Sequence, residues 1–473
     1  MFCTQLELFL FVLYRDQATD RTLMLSTSCS YNAFRLCFSV VKRGFYFIVF
    51  CILRCIKSAY AICRLFICGR VAVLYAVTFL IVLPNLLRNV RYSLFYARLD
   101  SDVLLNLTKS MNSDRIAQAE NYFSSLNSSG MQDGCVAHTI VESDVAVTVA
   151  LTVITVSRNR HEIDNYEPKY LTQTVWKFHS QMEKWRPRSR GLQIHMSICN
   201  VDDDVPSYQE ANALSELIPM FSRFNRTQFS SVHPLEKEKE DYTFCLNKSL
   251  DIHKKADYIF LVEDDALPTD DMFEVLQRVL MQQSARSYTR GEFHHKPSNV
   301  AFIKFFHPER LLNFISFQPE RLPELISYAA LLSTLLVVVV YFYATARVPA
   351  STDNWKTVDV LFRQLFLFSL VVMLACGRTG ISEWRRLASP HFYSFTPSPS
   401  CCTQALLFPR EAALLTVNYL DSSTCEQNFG KDSVLDNMLQ DLQMTAYLVQ
   451  PNTFEHIGVY STLRNHIVDP FLV

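Results

Sequence analysis

The feature that most restricts this fold lies past the middle of the chain. "LISYAALLSTLLVVVVYFYATA" (325–346) carries no charged residue, and about 20 apolar residues suffice to cross a bilayer as a helix. After the polar link "RVPASTDNWKT" comes "VDVLFRQLFLFSLVVMLACG" (358–377), whose only charges are Asp359 and Arg363. Two crossings return the chain to the side it left. Segments 90–324 and 378–473 therefore share one face of the membrane, and together they can build one domain split by a hairpin.

A further apolar run, "VAVLYAVTFLIVLPNLL" (71–87), is uncharged and predicts an N-terminal span over 71–89. Upstream, 45–68 is apolar but holds Arg54, Lys57 and Arg64. Each such charge costs roughly 2.5–3.5 kcal/mol near a helix centre, so this stretch reads as an interfacial or cytosolic basic segment rather than another span. The expected organisation is a cytosolic tail (1–70), a first span (71–89), the first part of a lumenal domain (90–324), a second span (325–346), a cytosolic link (347–357), a third span (358–377) and the rest of the lumenal domain (378–473). The lumenal placement rests on two patterns. Basic residues crowd ahead of the first span, although Arg88, Arg91, Arg98 and the flanks of the hairpin vote the other way. Asn106, Asn127, Asn225 and Asn247 each open an N-x-[ST] sequon between the first span and the hairpin. Six cysteines, Cys135, Cys199, Cys245, Cys401, Cys402 and Cys425, lie in the same segments, an even number that predicts disulfides in an oxidising compartment with the connectivity left open.

Within the lumenal part, "DVAVTVALTVITVSR" (144–158) and "LQIHMSICNVDDD" (192–204) read as buried strands, and "EKEKEDYTFCLNKSLDIHKKA" (236–256) as a helix. "DYIFLVEDD" (257–265) and "NVAFIKFF" (299–306) are further strands. Alternating strands and helices predict an α/β domain with a mostly parallel sheet, in which ligands gather beyond the carboxyl ends of the strands. Formal net charge is −1, so bulk charge gives nucleic-acid binding no support. No glycine-rich nucleotide loop is present.

One strand ends in three acids: Glu263, Asp264 and Asp265. Like charges in one place are unfavourable unless a cation neutralises them. A divalent metal bridging carboxylates and a diphosphate is one reading; an acidic surface loop leading into the helix "DDMFEVL" is the other.

Six motifs then occur in order: "EKEKEDY" (236–242), "VEDDALP" (262–268), "HPERL" (307–311), "CCTQALLFP" (401–409), "FGKD" (429–432) and "PNTFEHIGVYSTLR" (451–464). Together they resemble the Golgi GPI-anchor N-acetylgalactosaminyltransferases, the post-GPI-attachment factor family, from about residue 70 to the end. The resemblance implies a GT-A glycosyltransferase fold with an N-terminal transmembrane helix and a hairpin inserted in the catalytic domain. It implies a multi-pass Golgi membrane protein with a lumenal site, UDP-N-acetylgalactosamine as donor, protein-attached GPI anchors as acceptor, and a divalent metal, Mn²⁺ first. The acidic triplet would act as a D-x-D motif, with Glu263 nearer the ribose and Asp265 on the metal beside Asp264 and His456. Arg158 and Asn200 are expected to contact the nucleotide sugar. Transfer from an α donor to a β product implies a general base, for which Asp432 is the candidate and Asp436 the runner-up; Asp432 would serve equally well as a helix N-cap. "EHIGVYSTLR" is similar as well to N-glycan branching N-acetylglucosaminyltransferases, and a non-catalytic lumenal receptor for GPI-linked cargo is a third reading.

Overall fold

The computed structural model describes residues 69–128, 147–158, 166–186, 191–224, 233–289, 299–314, 321–345, 354–389, 392–461 and 466–467. The basic segment 45–68 and Cys135 lie outside them. The chain divides into two units at Thr78 and Phe79. The described part of the first unit is helix α1 (Gly69–Val77). Next in the chain come a π-helical turn (Thr78–Val82) and α2 (Leu83–Leu86). The apolar stretch Ala72–Leu86 is shorter than a full span.

The second unit continues with α3 (Ser101–Ser128), β1 (Val147–Thr155), α4 (Tyr170–Trp185), β2 (Leu192–Asn200), α5 (Gln209–Leu214) and β3 (Met220–Ser222). Then come α6 (Pro234–Ile252), β4 (Tyr258–Glu263), β5 (Ala266–Pro268), α7 (Met272–Thr289) and β6 (Val300–Lys304). The long helices α8 (Arg321–Thr345) and α9 (Asn354–Cys376) are followed by α10 (Arg378–Ala388), β7 (Ser394–Pro397), β8 (Ala405–Pro409), α11 (Arg410–Ser422), α12 (Lys431–Asp441), β9 (Thr445–Gln450) and β10 (Phe454–His456).

The strands form a mixed, mostly parallel sheet in the order β3-β2-β1-β4-β8-β6-β9-β7. β1 pairs in parallel with β2 and β4, and β6 with β9. β8 runs against both of its neighbours, and β7 runs against β9. The predicted strands are all present; antiparallel β8, within "CCTQALLFP", is an addition to the expected set. β1 reads as a nearly continuous apolar and β-branched run because both of its faces are covered, whereas in β2 apolar Leu192, Ile194, Met196 and Ile198 alternate with polar residues. Side chains of β4 alternate accordingly: Phe260 and Val262 enter one core, Ile259 and Leu261 the other.

β8 also shows how the two halves of the chain make one domain. It lies after the hairpin, yet it pairs with β4 (Phe260 opposite Leu407) and β6 (Ile303 opposite Leu407), which lie before it. The hairpin is thus an insertion between strands that are neighbours in the sheet. Among the described residues, its two legs, Arg321–Phe342 and Val358–Cys376, are the helices long and apolar enough to cross a membrane. Their base is fastened to the domain. The buried Arg378 guanidinium donates from Nε to Glu324 at 2.8 Å and also reaches Gln450 beside the sheet. Leu83, Leu87, Leu325, Met373 and Ile381 fill a small apolar cluster there.

Cys199 at the end of β2 is bonded to Cys245 of α6, and Cys401 is bonded to its neighbour Cys402. The expectation from the even cysteine count is corrected at Cys425, a buried free thiol. It sits against the core of α11 and α12, and the disulfides join cysteines on other elements.

Candidate active site

The carboxyl ends of β1, β2 and β4 meet at one edge of the sheet, and the acidic triplet lies there. β4 ends at Glu263, so the alternation of a strand no longer governs Asp264 and Asp265. The three acids take three directions.

Asp264 is 2% exposed and turns back into the fold. Its Oδ2 accepts from the Thr155 hydroxyl at 2.7 Å, and its Oδ1 accepts from Arg158 at 2.8 Å. Thr174 donates to its carbonyl at 2.6 Å. Both carboxylate oxygens are thereby engaged, in an arrangement that fixes the turn after β4 and positions Arg158.

Asp265 is also buried. Its Oδ2 lies 3.0 Å from Arg158 and 3.6 Å from His456 Nε2. Burial opposes its ionisation, but Arg158 and His456 hold the carboxyl well below the usual carboxylate range. Among the described residues its buried Oδ1 has no hydrogen-bond partner, and neither has Nδ1 of His456. Antiparallel pairing of β5 with β10 sets Ala266 opposite His456, and the Ile457 N–H donates to the Asp265 carbonyl at 2.9 Å. The C-terminal segment is thus bonded across the acidic turn. A buried carboxylate oxygen without a donor next to an imidazole is a fitting place for a hard cation. The three acids do not converge on that point, so the chain offers two donor groups there, Asp265 and His456.

Glu263 faces the other way. Its Oε1 accepts from Thr403 and from Lys431 Nζ, each at 3.1 Å. Burial raises its carboxyl, against the pull of Lys431. Burial likewise works against the charge of Lys431, but Glu238 at 2.8 Å and Glu263 keep its ammonium well above its ordinary range. Lys431 is the first residue of α12 and Asp432 the second. Gly430 occupies the N-cap, so the capping reading of Asp432 does not hold. Asp432 Oδ2 instead accepts from the Cys402 N–H at 2.8 Å, and its buried Oδ1 has no partner among the described residues. Burial raises Asp436, one turn further on.

Asn200 is fully buried at the end of β2. Its Oδ1 accepts from the Asp202 N–H at 2.9 Å, and its Nδ2 has no partner among the described residues. Arg158 packs over the Tyr170 ring, 5.3 Å from the centroid. The Tyr170 hydroxyl in turn accepts from the Val459 N–H at 2.8 Å. Sequence reasoning missed Lys431, Thr403 and Gly458, although "FGKD", "CCTQ" and "EHIG" contained them. Their roles depend on contacts that cross the whole domain.

Gly458 yields a direct prediction. A Cβ at this position would stand 2.7 Å from Asp265 Oδ2 and 3.1 Å from the His456 ring. Gly458→Ala must displace one of them, and misplacing a reacting group by about 1 Å can cost on the order of a hundredfold. Turnover at saturating donor should fall by that order while the melting temperature changes little. Unchanged turnover together with unchanged divalent-metal affinity would show that the site tolerates the methyl group.

The sequence was compared with models of protein families. The model described as GPI-N-acetylgalactosamine transferase PGAP4 matches residues 149–455. The chain belongs to that family. The match begins in β1 and ends inside β10, so it takes in Arg158, Asn200, the acidic triplet and Asp432. His456 and Gly458 follow directly after it. The family resemblance noted in the sequence is thereby confirmed, and the protein is a glycosyltransferase by family.

Proposed function

We propose that the protein is a metal-dependent, inverting glycosyltransferase of the GT-A type. It moves N-acetylgalactosamine from UDP-N-acetylgalactosamine to the glycan core of protein-attached GPI anchors. The observation that carries this reading is the unpartnered Asp265 Oδ1 beside His456, at the carboxyl end of a central strand. Asp265 and His456 would hold a divalent ion, Mn²⁺ first. When bound, such an ion neutralises charge on the departing diphosphate. Arg158 orients Asp265 and adds positive charge at the same edge. Asn200 offers a buried N–H to the nucleotide. Lys431 and Thr403 fix Glu263, which lies toward the ribose. Asp432 takes the proton of the acceptor hydroxyl on its free Oδ1, with Oδ2 steadied by Cys402.

The same reading places a first span at 71–89, the hairpin 325–377 in the Golgi membrane, and the sheet domain in the lumen. The exposed Asn106 and Asn247 of two sequons support a lumenal face. Cells lacking the gene should display GPI-anchored proteins whose glycan is lighter by one N-acetylhexosamine, read by mass spectrometry. An unchanged anchor mass would refute the activity.

A hairpin that holds the site at the bilayer lowers the cost of encounter with a lipid-linked acceptor. Replacing 336–366 with a soluble turn spares the packed base around Glu324 and Arg378. Transfer to a GPI-anchored protein in membranes should fall on the order of tenfold, while transfer to a free glycan is retained. Equal loss on both substrates would assign the hairpin to folding.

A further inference from the structure

β6 and β8 are antiparallel neighbours, so the end of β6 meets the start of β8, with Lys304 opposite Leu406. The Phe305 N–H extends the pairing by donating to the Ala405 carbonyl at 3.0 Å. His307 lies just past β6, and Cys401 and Cys402 lie just before β8. The strand pairing therefore brings an imidazole nitrogen and two sulfurs together, all within 4.8 Å of one another. His307 is fully buried, and among the described residues neither of its ring nitrogens has a hydrogen-bond partner. Folded proteins rarely leave such atoms unsatisfied. Its backbone is clamped: the N–H donates to Asn452 Oδ1 at 3.1 Å, and Asn452 Nδ2 donates to its carbonyl at 2.8 Å. Burial and the nearby charges of Lys304 and Arg321 push the imidazole down to about 3, so the ring is neutral, the form that ligates a metal.

Cys401 and Cys402 take φ of +75° and +72°. Two successive left-handed residues that are not glycine are costly, and surrounding contacts must hold them. Lys304 supplies such contacts, its buried ammonium donating to the Pro399 and Cys401 carbonyls at 2.9 and 2.6 Å. The loop is thus fixed through its backbone, and the sulfurs stay beside His307 when the bond between them opens. The pair is partly exposed, whereas Cys199 and Cys245 are fully buried, so a reductant in solution reaches the first disulfide and not the second. We propose that Cys401, Cys402 and His307 form a redox-gated site for a thiophilic divalent ion of the zinc class, separate from the Asp265–His456 edge. While the sulfurs are bonded to each other they carry no charge and the site is closed. A small dithiol opens it by exchange: the S–S bond of the pair breaks, the reductant closes its own disulfide, and its two protons pass to the cysteine sulfurs. Zn²⁺ then binds two thiolates and the imidazole, the two protons leave to water, and the fourth tetrahedral position is open to solvent. Cys402 also supplies the N–H that Asp432 accepts, so the state of the pair reaches that carboxylate through one peptide unit.

The test uses full-length protein in detergent, either oxidised or reduced with a dithiol that is then removed under nitrogen. Co²⁺ is the probe, a stand-in for Zn²⁺ whose thiolate charge-transfer band marks sulfur ligation. Reduced protein should bind one more Co²⁺ per chain than oxidised protein, with that band, and Zn²⁺ should displace it. His307→Phe removes an imidazole whose nitrogens are unpartnered, so the melting temperature should stay close to wild type. The variant should lose at least the roughly hundredfold in affinity that even an outer-shell partner of a metal can contribute. Cys401→Ser combined with Cys402→Ser should abolish the added equivalent, and it decides the matter if the Phe variant does not fold. No added equivalent in reduced wild type, or one of wild-type affinity in either folded variant, would overturn the site. The spectra need no turnover, so this outcome is independent of the transferase reading.

Discussion

Asp265→Asn should abolish sugar transfer while leaving the protein folded. The substitution keeps the size of the side chain and removes the charge that faces Arg158 and His456. Arg158 retains Asp264 at 2.8 Å, so its guanidinium is not left without an anion. The cost to stability should therefore stay within about 1–3 kcal/mol, the range for a changed buried hydrogen bond. The cost to turnover should be far larger. Electrostatic stabilisation of a leaving group typically accounts for roughly 10²–10³-fold per contributing group or more, and the amide would also remove an anionic donor to the proposed cation. Divalent-metal affinity, followed by Mn²⁺ paramagnetic resonance, should drop together with turnover. A folded Asp265→Asn protein with wild-type turnover would end the assignment of Asp265. So would a loss of turnover with metal affinity unchanged.

The second large effect is expected at Asp432. An asparagine can still accept the Cys402 N–H through its amide oxygen, so the start of α12 should hold its geometry. What it cannot do is take a proton. General-base catalysis contributes typically 10²–10⁴-fold, and turnover by Asp432→Asn should fall within that range. UDP-sugar binding, measured separately by calorimetry, should persist. Asp436→Asn should stay within about tenfold of wild type, below the range of a general-base loss. If Asp432→Asn turns over within a few-fold of wild type, or loses donor binding along with turnover, the base lies elsewhere.

These two residues show what could and could not be read from the sequence. The strands 147–155 and 258–263 are legible because burial on both faces demands mostly apolar runs, and 192–200 because its apolar residues Leu192, Ile194, Met196 and Ile198 alternate with polar ones. The hairpin is legible because lipid sets a minimum length. β8 was not foreseen as the strand between β4 and β6, because its partners precede a 56-residue excursion from Arg321 to Cys376 that hides their adjacency. The acidic triplet was legible as a cluster, but not as three separate roles. A strand that ends at Glu263 stops dictating which way Asp264 and Asp265 point. Asp264 is spent on Thr155 and Arg158, which a linear motif cannot reveal. His456 could be read from "EHIG" only as an imidazole able to ligate a metal, and its placement beside Asp265 comes from the pairing of β10 with β5. Lys431 sits 168 residues from Glu263 in sequence, and no local pattern announces that contact. Asp432 had the composition of a helix cap, yet Gly430 took that place and left the carboxylate facing the Cys402 backbone.

The most direct test of the account is reconstitution with the metal under control. Full-length protein in detergent, stripped with a chelator, is given UDP-N-acetylgalactosamine and a GPI-anchored protein, with and without added Mn²⁺. The product is weighed by mass spectrometry, with Asp265→Asn run alongside. The account predicts one N-acetylhexosamine added by wild type only when the metal is present, and none by the variant. Addition at the same rate in chelator, or by Asp265→Asn, would contradict it.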